Sequence, residues 1–543
     1  MNNTFTISGH IVDLVASRIF EGTVVVENGK IKSIREEKND SSKYILPGLI
    51  DSHVHIESSM VTPAEFARMA VCHGTVATVS DPHEIANVLG IEGVKFMIES
   101  GKKVPFKFYF GAPSCVPATT FETSGFVLDH NDIATLMSMD DIYYLGEMMN
   151  YPGVVFDDKE THAKLEATRL AGKPIDGHAP SLTGDNLKKY VDSGISTDHE
   201  CFTEAEAEEK INLGMNILIR EGSAAKNFEA LVGLIERYPE QIMFCSDDKH
   251  PNDLVSGHIN TLVKRAIAKG YNIIDVLKAA SLNVVKHYNL NVGLLQQGDN
   301  ADFIVVDNLS DFNIKQTYID GQLVAENGKS LINHIESTTP NNFKVEKVKI
   351  DDFKIADNGK NIKVIECIDG QLITKVVTTS PKVEKGNMVS DTKRDILKMV
   401  VVNRYAKHSL SIGFIKNFGL QKGAIASSIA HDSHNIVAVG TSDQELTNVI
   451  NKLIETKGGI AISDGNFAFA VGMPIAGLMS NEDGYKVAAD YEKIDAMAKE
   501  LGTPLHAPFM TLAFMSLLVI PELKLSDKGL FDVNKFAFTN VEC

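Results

Sequence analysis

Hydrophobic and polar positions fall into three successive textures along the chain. Residues 4 to 46 form short alternating runs with turn signals, such as TVVVENGKIKSI, where Asn28-Gly29 separates two strand-like stretches. A similar texture returns at ADFIVVDNLSDFNIKQTYIDGQLVAENGK. The pattern predicts one small, sandwich-like composite β-domain assembled from both flanks, residues 1–46 and 291–335. Between them, over 47–290, short apolar or β-branched runs (GTVATVS, FKFYFGA, YYLGEMM, PIDGHAP, GISTDHE, MNILIRE, IMFCSDD) alternate with helical patterns such as PAEFARMAVCH, KLEATRLAG and NFEALVGLIERY. Strand and helix in alternation over about 240 residues is the layout of an α/β fold of the (β/α)8 TIM-barrel type, with a doubly wound open sheet as the competing architecture. No GxGxxG or GxxxxGK[ST] opens a helix there, so no nucleotide-phosphate loop is expected. Residues 336–360 are polar and read as a link. Strand-like runs (NIKVIECID, GAIASSIA, NIVAVG, GGIAISDG) and helix-like ones (DQELTNVINKLIE, YEKIDAMAKELG) then predict a C-terminal α+β domain over 361–543.

Composition narrows the function classes. The 543 residues carry a formal net charge of −18, which argues against a general nucleic-acid binder with a basic face. Six scattered cysteines without a CxxC pair disfavour a disulfide scaffold or a zinc ribbon. The start has no basic n-region and carries Asp13 within its apolar part, unlike a signal peptide. No run of about 18 apolar residues predicts a membrane span. The expectation is a cytoplasmic, homo-oligomeric protein whose partner is a small-molecule substrate, with neither nucleic acid nor membrane.

The candidate chemistry sits at the predicted strand ends. His53 and His55 close the first barrel strand at i, i+2, so a strand aims both to one side. Glu147 ends YYLGE, His178 ends PIDGH, His199 ends ISTDH and Asp247 ends IMFCSD. The carboxyl-terminal rim of a barrel makes such distant positions neighbours. Four histidines and two carboxylates form a nitrogen and oxygen donor set suited to zinc, manganese or iron, sufficient for two ions with a carboxylate between them. Two such ions roughly 3.5–4 Å apart lower the pKa of a shared water towards about 7, which implies hydrolytic attack on an electrophilic carbon. Singly, each histidine reads first as a hydrogen-bonded structural residue. The ordered series carries the metal reading.

The same residues carry a resemblance. PGLIDSHVH, GHAP, TDHE and SDD follow the pattern of the amidohydrolase superfamily. Within it, HVHIESSM, GTVATVSDPHEIANVLG, GEMMNYPGV, DGHAP, STDHE, REGSAAKN, CSDDKHPNDL and the tail segment AHDSHNIVAVG resemble the successive motifs of bacterial-type adenine deaminases, over nearly the whole chain. The resemblance implies a metal-dependent barrel, a composite β-domain and an adenine-deaminase-type C-terminal domain. It implies hydrolysis of adenine to hypoxanthine and ammonia, a purine-salvage reaction, on two divalent ions, manganese or iron with zinc as an alternative. His53, His55 and Asp247 would hold one ion, His178 and His199 the other, and Glu147 would bridge them. Many binuclear superfamily members bridge with a carboxylated lysine on the fourth strand; Glu147 stands in that place, with proton transfer as its alternative role. Asp247 would take the proton of the attacking water and return it to the leaving amine. Related deaminases often place a Glu about three residues past the fifth-strand His. Here Ala179-Pro180-Ser181 follow His178, so Glu221 is the preferred donor to the ring and Glu200 the alternative. Another cyclic amidohydrolase or deaminase of the superfamily, such as a dihydropyrimidinase, is the runner-up. A zinc deaminase of the cytidine type would need PCxxC, which is absent.

Other positions are less specific. Asp81, His83 and Glu84 in SDPHE read as a rim loop that touches substrate, or as a turn with a helix start. Asp248 reads as a hydrogen-bond partner for a purine nitrogen or as part of a solvated loop, and Asp51 as an acceptor supporting the metal-bound imidazoles. Ser223, Ala224 and Asn227 read as pocket wall or helix cap. His431, Asp432 and His434 read as a loop closing over the site or a structural turn, with a further metal site as the alternative. EAEAEEK (204–210) reads as a solvated helix face, and PFMTLAFMSLLVIP as core or a subunit contact.

Overall fold

The computed structural model describes residues 4–465 and 467–543. Eight parallel strands follow one another through the middle of the chain: Leu49–Val54, Thr75–Ser80, Lys107–Ala112, Ile142–Met148, Ile175–Gly177, Thr197–Asp198, Asn216–Arg220 and Ile242–Cys245. The first five form one sheet and the last three another. Parallel bridges from Ile175 to Ile195 and from Val54 to Asp247 join the two sheets edge to edge, so the barrel closes. Asp247 N donates to His53 O at 2.9 Å and His55 N to Asp247 O at 3.3 Å, placing three rim residues across that seam. These strands are buried on both faces, as Thr75–Ser80 shows, because helices cover the outside while side chains fill the inside.

The two strand-rich flanks pair with each other. One eight-stranded sheet combines Thr4–Asp13, Arg18–Glu27, Lys30–Glu36 and Tyr44–Pro47 with Phe303–Val306, Ile314–Ile319, Gln322–Glu326 and Lys329–Ser330. The junction is Tyr44–Pro47, parallel to the first strand and antiparallel to Phe303–Val306. The chain then enters the barrel only two residues later, so this sheet anchors the entry strand that carries the histidine pair.

The C-terminal region holds a second eight-stranded sheet centred on Ile396–Val402, Ile436–Gly440 and Ala424–Ser427. Helix Asp443–Thr456 covers one face with Leu446, Val449, Ile450 and Leu453, the i, i+3, i+4, i+7 spacing of an amphipathic helix. Ser442 caps it by accepting from Glu445 N at 3.2 Å. The polar stretch 336–360 is not a free link: Val345, Val348 and Phe353 are buried in the same cluster. Polar spacing hid these anchors. Met60 O accepts from Ser480 N at 2.8 Å, and Arg68 bridges Glu65 and Asp483, which ties this region to the barrel. Among the described residues no helix is long and apolar enough to cross a membrane.

Candidate active site

The six rim residues converge. His53 and His55 present their Nε2 atoms to each other at 3.1 Å. Asp247 Oδ1 lies 3.7 Å from His53 Nε2 and 3.2 Å from His55 Nε2. Glu147 divides its carboxylate: Oε1 lies 3.2 Å from His55 Nε2, while Oε2 lies 2.7 Å from His178 Nδ1 and 3.1 Å from His199 Nε2. All six are buried. Overlapping sets His53/His55/Asp247, His53/Glu147/His199 and His178/His199/Glu200 each bring ligand atoms close enough for a metal ion, and His83 forms a further set with His55 and Glu147.

The donor set fits cations on its own chemistry. Two imidazole nitrogens facing each other at 3.1 Å cannot both carry protons there. His55 Nδ1–H donates to the Asp81 carbonyl at 3.0 Å, which fixes the ring and directs Nε2 into the donor cluster. Burial, reinforced by His199 and His55, pushes the His53 imidazole well below its usual pKa, so it is neutral, the form that ligates metal. Burial alone would raise the Glu147 carboxyl, but His178, and hydrogen bonds with His199 and His55, hold it well below the carboxylate range. Asp247 is likewise kept ionised against its burial, chiefly by Arg220, whose Nη1 donates to Oδ2 at 2.6 Å.

Backbone geometry sets these positions. A Cβ on Gly146 would lie 2.2 Å from Asp81 Oδ2, the atom that accepts from Glu147 N at 2.9 Å. Glycine there lets Asp81 dock under the Glu147 backbone. Asp81 is thus a support beneath the cluster, not one of the cavity-lining residues, which corrects its expected role in touching substrate. Asp51 is also a support, though of the barrel seam and the His258 imidazole instead of a rim imidazole: it accepts from Ser246 N at 2.9 Å and from His258 Nε2 at 2.8 Å.

His83, Glu84 and Asp248 do line the cavity above the cluster. Asp248 accepts from Ser58 Oγ at 2.5 Å. Glu221 does not line it. Its Oε2 pairs with Arg265 Nη1 at 2.6 Å on the outside of the barrel, because Arg220 and Glu221 are adjacent along a strand and point to opposite faces. The expectation of Glu221 as proton donor therefore falls. Glu200 takes the interior place, with Oε1 3.6 Å from His178 Nδ1 and 3.5 Å from His199 Nε2, clamped by the Arg220 guanidinium. Arg220 itself escaped the sequence reading; strand alternation next to a rim carboxylate was the available signal. Asn227 braces this corner, donating to His199 O and Cys201 O at 3.1 Å each and accepting from Arg220 N at 2.7 Å.

The C-terminal region closes the mouth. Leu372, His431, Asp432, Phe514, Leu517 and Ile520 line the same cavity as the rim residues. Glu84 hydrogen-bonds His431 and makes an ion-pair contact with His434, so the tail segment IAHDSHNIV docks onto the barrel helix His83–Leu89. The apolar run near the C-terminus, expected as core or subunit contact, supplies the greasy wall.

Comparison with known proteins agrees with this architecture. The profile of the amidohydrolase family matches residues 44–324, and that of the adenine deaminase C-terminal domain matches residues 371–537. The chain is 55% identical over 98% of both chains to an adenine deaminase of Methanosarcina mazei. It is 54% identical to that of Methanosarcina barkeri and 50% identical to that of Salinibacter ruber, each over 99% of both chains. With a metal-type donor cluster at the barrel rim and family likeness running unbroken through the closing domain, the chain belongs to the adenine deaminase family of the metal-dependent amidohydrolases.

Proposed function

We propose that this chain deaminates adenine hydrolytically to hypoxanthine and ammonia, a step of purine salvage, using two divalent ions. The observation that carries the reading is the likeness to adenine deaminases at 55% identity over 98% of the chain, through both the rim motifs and the lid. His53, His55 and Asp247 would hold one ion and His178 and His199 the other, with the two oxygens of Glu147 directed to the two groups. A nitrogen and oxygen set without thiolate suits manganese or iron, with zinc as the alternative. Bound there, two divalent ions would lower the pKa of a water towards neutrality and so provide the nucleophile.

The chain's own groups account for the proton traffic. Asp247, held ionised by Arg220, accepts the proton of the attacking water as its oxygen bonds to C6. Glu200, on the His178 and His199 side, would enter the cycle protonated and donate to ring N1. Asp247 then returns its proton to the departing amino group, the C6–N bond breaks to give ammonia, and the proton left on the new C6 oxygen passes to Glu200, which restores the acid and leaves the 6-oxo product. Phe514, Leu517, Ile520 and Leu372 exclude bulk water and provide apolar contact for a planar ring.

The test is ammonia release from adenine, adenosine, guanine and cytosine by protein loaded with manganese, iron or zinc. Turnover of adenine with little from the others is expected. No turnover of adenine under any loading would refute the proposal.

A further inference from the structure

Much of the cavity is not barrel. His431, from the C-terminal domain, is held on two sides: its Nδ1 bonds Glu84, and its ring stacks on Phe514 at 4.5 Å with an interplanar angle of 5°. Glu84 is held in turn by His434 on its other oxygen. This leaves the far nitrogen, Nε2, as the atom His431 presents. Its nearest charged neighbour is Asp248 Oδ1, 4.0 Å away, beyond hydrogen-bond reach. Next along the chain, Asp432 Oδ2 is buried without any hydrogen-bond partner among the described residues, and Asp432 lines the same cavity. A buried, unsatisfied carboxylate oxygen beside a fixed imidazole is costly unless something polar enters between them.

We infer that the loop carrying His431 and Asp432 reads the edge of the purine that faces away from the metal donors, with His431 as a substrate-contact residue. This rests on the deaminase reading of the site. With C6 directed at the rim cluster, a free purine base turns its N3 acceptor and N9–H donor to the opposite side. His431 Nε2 supplies a donor, and the carboxylates of Asp248 and Asp432 supply acceptors, so the pair is matched in kind. Despite its burial, His431 is shifted up to about 9 by Glu84 and Asp248, which keeps the donor proton on it. The ligand class is therefore purine bases with an unsubstituted N9. A substituent at N9 removes the donor and drives bulk against Phe514 and Leu517. Glu84 and His434 are positioning residues that aim the imidazole.

The experiment compares wild type, His431→Ala and His431→Gln, all metal-loaded, with adenine and with 3-deazaadenine, which lacks the N3 acceptor. For His431→Ala the KM for adenine should rise about tenfold or more, the scale of a lost hydrogen bond to a charged donor, with kcat less affected. Metal content should stay at the wild-type value, while the thermal midpoint falls for His431→Ala because buried Glu84 loses a partner. With 3-deazaadenine, the variant and wild type should differ little. Gln keeps an N–H donor and should restore part of the loss. Equal losses on both bases, or no loss on adenine, would overturn the inference. If His431→Ala does not fold, the same ratio is read from His431→Gln against wild type. Wild-type turnover of adenine is a separate control: its absence refutes the deaminase reading. The His431 ratio is then still read from calorimetric binding of the two bases.

Discussion

Lys210→Met should cost this protein both stability and metal. Lys210 is fully buried in helix Glu204–Asn212, within a charge run that reads as solvated. Its ammonium donates to Asp198 Oδ2 at 2.9 Å, to Glu206 Oε1 at 2.9 Å and to the Ala179 carbonyl at 2.8 Å. Asp198 in turn accepts from Ala179 N at 2.9 Å and from Glu200 N at 3.1 Å. One cation thus ties together the segments that follow the fifth and sixth barrel strands, which carry His178 and His199. Methionine nearly preserves the volume but leaves Asp198 and Glu206 buried without a counter-charge. Breaking a buried pair by removing one partner costs about 3–5 kcal/mol. Loss of an outer support for metal ligands costs about 10–100-fold in metal affinity. Urea unfolding should show the first effect, and metal content after dialysis against buffered free manganese the second. Adding Asp198→Asn to Lys210→Met removes one uncompensated charge and should recover part of the stability, with a coupling energy in the range of about 0.5–3 kcal/mol. A Lys210→Met protein within about 0.5 kcal/mol of wild type, the size of an ordinary surface change, and with full metal content would refute the reasoning.

Two further outcomes follow from placement and charge. Glu200→Gln should lower kcat for adenine by about 100-fold or more, the scale of general acid catalysis, while Glu221→Gln should leave kcat and KM close to wild type; the reverse pattern in steady-state kinetics would restore Glu221 to the site. Glu122 is buried beside Asp432, and burial followed by that carboxylate raises it to about 8. The native state keeps this proton while the unfolded chain loses it near pH 4.3, so between about pH 4 and 8 the unfolded state binds fewer protons and stability falls as pH rises. Glu122→Gln cannot titrate, so its thermal midpoint relative to wild type should climb from pH 5 to pH 8. A flat difference would show that Glu122 is ionised in the fold.

What the sequence made legible was periodic or positional. Strand runs ending in His, Glu or Asp gave both the barrel and the rim set, because a parallel strand buried on both faces is a continuous apolar block with polar chemistry only at its end. Pairing of the two flanks was inferable from their shared texture, while their register through Tyr44–Pro47 was not. Glu221 was misread because a strand end carries two adjacent polar residues, and one residue of offset decides between the inside, Arg220, and the outside, Glu221. Lys210 was hidden for the opposite reason: a charged helix looks solvated unless its partners, Asp198 and Ala179, are known to lie beneath it. Phe514, Leu517 and Ile520 are indistinguishable from core in the sequence, since apolar wall and apolar core differ only in what stands opposite.

Metal titration of the apoprotein tests the two-ion site most directly. Manganese or iron added stepwise should raise adenine turnover until two ions are bound per chain, then leave it level, and the double variant His178→Ala/His199→Ala should stay inactive throughout. Full activity at one ion per chain, activity surviving that double loss, or no release of ammonia from adenine at any loading would contradict it.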